Sequence, residues 1–222
     1  MPTNLNAITS SRESALEINK VLRNTYSLLA MTLLFSAGVA YVSMALNLPH
    51  PGLIIMLVGF YGLMFAIHKF QNSVVGLLLT FAFTGFLGYT LGPILSLYLS
   101  LNNGGQLVAT ALGLTGFTFL GLSAYALTSR KDFSFLGTFM VAGFFVLLGA
   151  MVLGFFMNIP GLHLAISAGF VLFSSAAILM QTSAIVNGGE RNYILATVTL
   201  YVSIYNLFLS LLHILGAFSG DD

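Results

Sequence analysis

Long apolar runs broken by short polar stretches fill this chain from residue 24 almost to its end. A helix needs about 20 predominantly apolar residues to cross the hydrocarbon core of a bilayer, and seven runs approach or exceed that length. The first extends from Asn24 to Leu46 and stops at Asn47-Leu48-Pro49-His50-Pro51, where two prolines withdraw helix donors. The second, Gly52 to Ile67, is short and ends at His68-Lys69-Phe70-Gln71-Asn72. The third, Ser73 to Leu99, is long and holds Gly92-Pro93. The fourth, Leu107 to Leu127, follows the turn Asn102-Asn103-Gly104-Gly105, and the fifth, Phe135 to Met157, follows Ser129-Arg130-Lys131-Asp132. The sixth, His163 to Val186, follows Asn158-Ile159-Pro160-Gly161, and the seventh, Tyr193 to Phe218, follows Asn187-Gly188-Gly189-Glu190-Arg191.

This pattern predicts an all-α, polytopic membrane bundle of seven transmembrane helices. Every connection is short, so consecutive helices are expected to lie side by side and antiparallel. The expected organisation is an N-terminal tail over 1–23, one transmembrane domain over 24–218 and a short tail over 219–222. No internal repeat is visible. The first apolar run is about twice the length of a signal-peptide core and lacks an A-x-A site, so it reads as an uncleaved span.

The basic residues set the expected orientation. Arg12, Lys20 and Arg23 precede the first span. Lys69, Arg130, Lys131 and Arg191 fall between spans two and three, four and five, and six and seven. An odd number of crossings puts all of them on one face. The positive-inside rule makes that face cytoplasmic, with the C-terminus and its Asp221 and Asp222 in the periplasm.

Composition agrees. The chain is 58% hydrophobic and 6% charged, against about 25% charged residues in a soluble domain, and its mean hydropathy is +0.98. A water-exposed surface cannot be built from so few charges, so lipid is the main solvent. The net charge of +1 and the scattered basic residues exclude a nucleic-acid stripe. The absence of cysteine excludes disulfides and thiolate metal sites. Nine Tyr and no Trp leave Tyr to form the interfacial aromatic belt.

In the tail, Ser10-Ser11-Arg12-Glu13 fits a capping box that opens a helix. Ala15, Ile18 and Leu22 then share one face. The segment is expected to be a helical extension of the first span at the membrane interface. It is also the only cytoplasmic piece long enough to engage a partner, with Ser10, Glu13, Glu17 and Lys20 as candidate contacts.

Candidate chemistry inside the membrane is uncharged. No Asp, Glu, Lys or Arg lies well inside a span. His50, His163 and His213 share the outer side and are the one group that could hold a metal, although His also sits readily at helix ends as a polar interfacial residue. No metal or cofactor site is assigned. Thr199, Ser203, Asn206, Ser210 and His213 recur at helical spacing on the seventh span, and His163, Ser167, Ser174 and Gln181 on the sixth. Such faces turn inward, because lipid offers no hydrogen-bond partner. They read either as hydrogen-bonding glue between helices six and seven or as a polar permeation path. On the third span Gly85, Gly88 and Gly92 form a flat strip for close helix approach. Pro93 cannot donate to the Tyr89 carbonyl, so a kink is expected. No HExxH or G-x-S-x-G motif is present. Gly121-Leu122-Ser123-Ala124 only faintly echoes a serine-protease elbow, and no catalytic residue is assigned.

Two segments give a resemblance to a known family. Gly85-Phe86-Leu87-Gly88-Tyr89-Thr90-Leu91-Gly92-Pro93-Ile94 and Tyr201-Val202-Ser203-Ile204-Tyr205-Asn206-Leu207-Phe208, on a seven-span plan, look like the Bax inhibitor-1 family. The likeness also covers Lys20 to Tyr26, Arg130 to Gly137 and Leu162 to Ala168, and so runs across the whole chain. The resemblance, strongest to an enterobacterial inner-membrane branch, implies a bacterial inner-membrane protein. It implies a modulator that binds FtsH, a membrane-anchored ATP-dependent zinc protease, with or without its associated membrane complex, and occupies it as a poor substrate. Other branches imply a calcium or proton leak associated with an acidic pair on the last two helices. Here those positions are Gln181 and Ser203, which departs from that pattern.

Overall fold

The computed structural model describes residues 3–157, 159 and 161–219, with side chains from Leu16 onward. Its seven helices are α1 (Thr3–Ala45), α2 (Gly52–Phe70), α3 (Val74–Leu99), α4 (Gly104–Ser129), α5 (Leu136–Phe156), α6 (Leu162–Val186) and α7 (Tyr193–Ser219). All seven are long and apolar enough to cross a membrane. Asn158, Pro160, Asp221 and Asp222, singled out from the sequence, lie outside the described residues.

Local chemistry explains most of the boundaries. Asn47 closes α1 in a left-handed conformation (φ 50°). Its N–H donates to the Met44 carbonyl, and the Leu48 N–H reaches back to Ser43, each at 3.0 Å. This is the Schellman arrangement that retires orphan carbonyls at a helix end. Gly188 ends α6 in the same way, with φ +76° and with Gly189 donating to Ala184 at 2.8 Å. Ser73 caps α3 by accepting from the Gly76 N–H.

Three boundaries differ from expectation, one of them the end of α2, which runs on through His68 and Lys69 to Phe70. The α1 helix begins at Thr3, so Ser10 stands inside a helix rather than at its N-cap. The Ser-x-x-Glu spacing also fits a helix interior, and nothing in it stops the helix from continuing upstream. The α4 helix begins at Gly104, so Gly104 and Gly105 open the helix instead of belonging to the turn.

The helices form a ring around one of their number. α1, α3, α4 and α6 contact one another in that order, close on α1 again, and all contact α7. α7 is buried along most of its length. α2 rests on α3 and α5 on α6 at the periphery, and each has a single buried residue, Ile67 and Leu147. The expected sequential packing therefore fails twice: α1 packs on α3 rather than α2, and α5 packs on α6 rather than α4. A short loop fixes only where two helix ends lie, whereas side-chain fit decides which flanks meet. For α1 the fit is the glycine strip. A Cβ added at Gly85, Gly88 or Gly92 would come closer than 3.0 Å to Phe35, Ser36 or Ser43 of α1. For α5 it is the preceding loop, tied to α6 by the Phe133 N–H donating to Ser183 Oγ at 3.1 Å and by Ser183 Oγ donating to the Lys131 carbonyl at 2.8 Å.

One end of the bundle collects the basic loops. Asn192 donates to the Gln71 carbonyl (3.1 Å) and to Asn72 Oδ1 (2.9 Å), joining the α2–α3 and α6–α7 loops. Asn187 and Ser183 reach Lys131 in the α4–α5 loop. Ile18 of α1 packs beside Gly188, where an added Cβ would stand 3.5 Å from its Cδ1. At the other end Tyr89 donates to the Pro49 carbonyl (2.7 Å), and Asn103 bonds Ser219.

Candidate functional site

The Ser, Thr, Asn and Gln side chains singled out on α6 and α7 are buried or half-buried, His163 and His213 are exposed, and one hydrogen bond fixes the register of the two helices. Ser167 Oγ and His213 Nδ1 lie 3.0 Å apart near the end opposite the basic loops. In an antiparallel pair, seven residues along each helix from that bond set Ser174 level with Asn206, and fourteen set Gln181 level with Thr199. Ser174, Gln181, Ser203 and Ser210 are buried, whereas Thr199 and Asn206 are half-buried. Ser203 donates to the Thr199 carbonyl of its own helix at 2.8 Å. Ser174 Oγ and Gln181 Nε2 meet no protein partner among the described residues. The face is thus a column of hydroxyls and amides without a carboxylate. Apart from Ser167–His213 it does not form the α6–α7 hydrogen bonds that the spacing suggested.

Most of the interhelical side-chain bonds lie instead where α1, α3 and α7 meet. Tyr201 of α7 bonds the Ser36 hydroxyl of α1 and donates to the Thr84 carbonyl of α3 at 3.3 Å. Tyr205 and Thr90 join their hydroxyls at 2.9 Å. Thr197 reaches the Thr25 carbonyl of α1 at 3.3 Å. Tyr201 and Tyr205 stack with ring centroids 6.4 Å apart. Sequence reasoning missed these tyrosines because it assigned tyrosine to the interfacial belt. The available signal was their i, i+4 spacing on the same helix as the Ser and Thr ladder.

The glycine strip serves close approach, as described, and Pro93 lies inside the continuous helix α3. The Tyr89 carbonyl that Pro93 leaves free accepts from Ser43 Oγ at 2.9 Å. His163 and His213 border one cavity at the end opposite the basic loops, with Ser167, Gly154 and Phe155. Among the described residues no group of three His, Cys, Asp or Glu is placed to hold a metal. Ser123 of the elbow-like segment is buried with an unpartnered hydroxyl. Of the candidate tail residues, Glu17 and Lys20 are exposed on α1, and they border a cavity shared with Glu190 and Arg191. The side chains of Ser10 and Glu13 lie outside the described residues.

The ring, the central α7 and the uncharged polar interior define a multi-pass helical membrane protein. The family model described as "Inhibitor of apoptosis-promoting Bax1" matches residues 18–220, and the chain belongs to that family. An uncharacterized protein of Pseudomonas aeruginosa is 63% identical over 206 residues, covering 93% of each chain. The Escherichia coli K12 protein named "Modulator of FtsH protease YccA" is 58% identical over 210 residues, 95% of each chain. A protein of a second Escherichia coli strain, similar to the same extent, is named "Inner membrane protein YccA".

Proposed function

We propose that this chain is an inner-membrane modulator of an FtsH-type ATP-dependent protease, which it occupies as a poorly degraded substrate. The observation that carries this reading is the likeness, over 95% of both chains, to a relative named as a modulator of FtsH protease. In this reading the N-terminus and the basic loops face the cytoplasm, following the positive-inside rule, and the short C-terminal tail lies in the periplasm. The protein acts by binding, and the reading assigns it no catalytic step.

The fold supplies a physical reason for resistance. A protease that grips the N-terminal segment pulls on α1, which runs from Thr3 to Ala45 without interruption. Force therefore passes directly into the α1–α3 interface, where glycines bring the backbones together and Ser43 bonds the Tyr89 carbonyl. Buried contacts of α1 with α7 follow, including Ser36 with Tyr201. The element that the handle is attached to is held on several sides. Deleting residues 2 to 15 tests the handle. Co-purification with the protease and inhibition of it are expected to fall, and unchanged values for both would remove the tail from the account.

A further inference from the structure

The chain has seven Lys and Arg and six Asp and Glu, and four of these charges surround one cavity of about 370 Å³ between α1 and the α6–α7 loop. Lys20 and Arg191 supply two cations, and Glu17 and Glu190 two carboxylates. Asn24 and Tyr193 add hydrogen-bonding groups, while Ile18 and Val21 make the apolar wall. The Glu190 carboxylate is oriented by accepting the Asn192 N–H through Oε1 at 2.7 Å. The loop is shaped by the left-handed Gly188 that receives Ile18.

The depth of this cavity identifies its surroundings. The apolar run of α1 extends from Asn24 to its end at Ala45, about 33 Å at 1.5 Å per residue. The hydrocarbon core is about 30 Å thick and the bilayer about 40–45 Å including headgroups. Residues 17–24 at the basic end therefore stand in the headgroup layer, as does Tyr193 at the start of α7. Scarce charges of both signs, set around an open volume at that level, face phospholipid headgroups at high local concentration.

We propose that this cavity is a binding site for a zwitterionic phospholipid headgroup carrying a phosphodiester and a primary ammonium, as in an ethanolamine phospholipid. Lys20 and Arg191 hold the phosphate by charge-assisted hydrogen bonds. Glu17 and Glu190 accept from the ammonium, and Ile18 and Val21 meet the start of the acyl chains. An anionic lipid with no ammonium would set its phosphate against two unpaired carboxylates. A choline headgroup has no N–H to donate to them. The proposal is independent of the protease reading.

The test uses the full chain in nanodiscs containing equal parts of ethanolamine, glycerol and choline phospholipids, followed by mild extraction and native mass spectrometry. Ethanolamine lipid is expected to be retained preferentially. Lys20→Gln with Arg191→Gln lowers its retention about tenfold, the scale of a lost charged hydrogen bond, whereas Lys20→Arg with Arg191→Lys keeps it. Glu17→Gln with Glu190→Gln shifts the preference toward the glycerol lipid. An unchanged thermal transition establishes that each variant is folded. Equal retention of the three lipids, or ethanolamine retention indifferent to the Lys20 and Arg191 changes in folded protein, would overturn the proposal. So would soluble glycerophosphoethanolamine displacing the diacyl lipid at equal concentration, because the ligand would then be a free phosphoester rather than a membrane lipid.

Discussion

The Ser43 hydroxyl of α1 donates to the Tyr89 carbonyl of α3 at 2.9 Å, and Tyr89 is the residue whose carbonyl Pro93 cannot serve, since proline has no N–H. One side chain thus replaces a missing helix bond and joins two helices at the interface that would bear the load of extraction. Ser43→Ala is expected to lower stability by about 0.6–1.7 kcal/mol, the range for interhelical bonds in membranes. Pro93→Ala restores the intrahelical donor, so Ser43→Ala should cost less in that background. Reversible unfolding in mixed micelles of the four proteins in the cycle measures the difference. Equal costs in both backgrounds would separate Ser43 from Pro93.

Two sets of glycines should respond oppositely to the same methyl group. A Cβ at Gly88 meets the Ser36 backbone, which has no rotamer to yield, whereas a Cβ at Gly113 or Gly116 meets nothing within 4 Å. Gly88→Ala is therefore expected to cost about 1–3 kcal/mol, as overpacking does. Gly113→Ala should change stability by less than about 1 kcal/mol. Thermal transitions in detergent report both, and similar losses at the two positions would argue against close α1–α3 packing.

Asn192 both caps α7, accepting from the Ile194 and Leu195 N–H groups at 2.9 and 3.1 Å, and stitches the α6–α7 loop to Gln71 and Asn72. Asn192→Ala is expected to cost about 0.5–2 kcal/mol, the value of a helix cap. Hydrogen exchange at Ile194 and Leu195 should rise more than at Leu207, deep in the bundle. Uniform acceleration along α7 would mean that the residue acts globally rather than as a cap.

The seven helices could be read from the chain because span length and apolar content report directly on the bilayer. Asn47, Ser73 and Gly188 mark their ends by ordinary turn and capping chemistry. The neighbour relations could not be read in the same way. Lipid and protein interior are equally apolar, so α5, with Leu147 as its one buried residue, and α7, buried along much of its length, differ little in the kinds of apolar residue they carry. The glycine strip of α3 announced a close partner but not that the partner was α1. The polar ladder of α7 showed which side faces inward. The bonds that hold the centre, however, belong to Tyr201 and Tyr205, whose hydroxyls find Ser36, Thr84 and Thr90 from distant parts of the chain.

The α6–α7 face carries Gln181 and Ser203 at the positions where the family resemblance implies an acidic pair in leak-forming branches. Neither side chain can carry a charge. Liposomes containing the purified protein are expected to show calcium and proton fluxes no greater than protein-free liposomes between pH 6 and 8, the range in which ionisable switches operate. A protein-dependent flux abolished by Gln181→Leu would place a conducting path on this face.

The most direct measurement is a competition for the protease. Proteoliposomes containing an FtsH-type protease and an unrelated membrane substrate would receive increasing amounts of this protein, with ATP supplied. Degradation of the substrate is expected to slow in proportion to the added protein, while the protein itself disappears much more slowly than the substrate. Substrate turnover that is indifferent to the protein, with protease and protein shown to share the same vesicles, would contradict its role as a modulator.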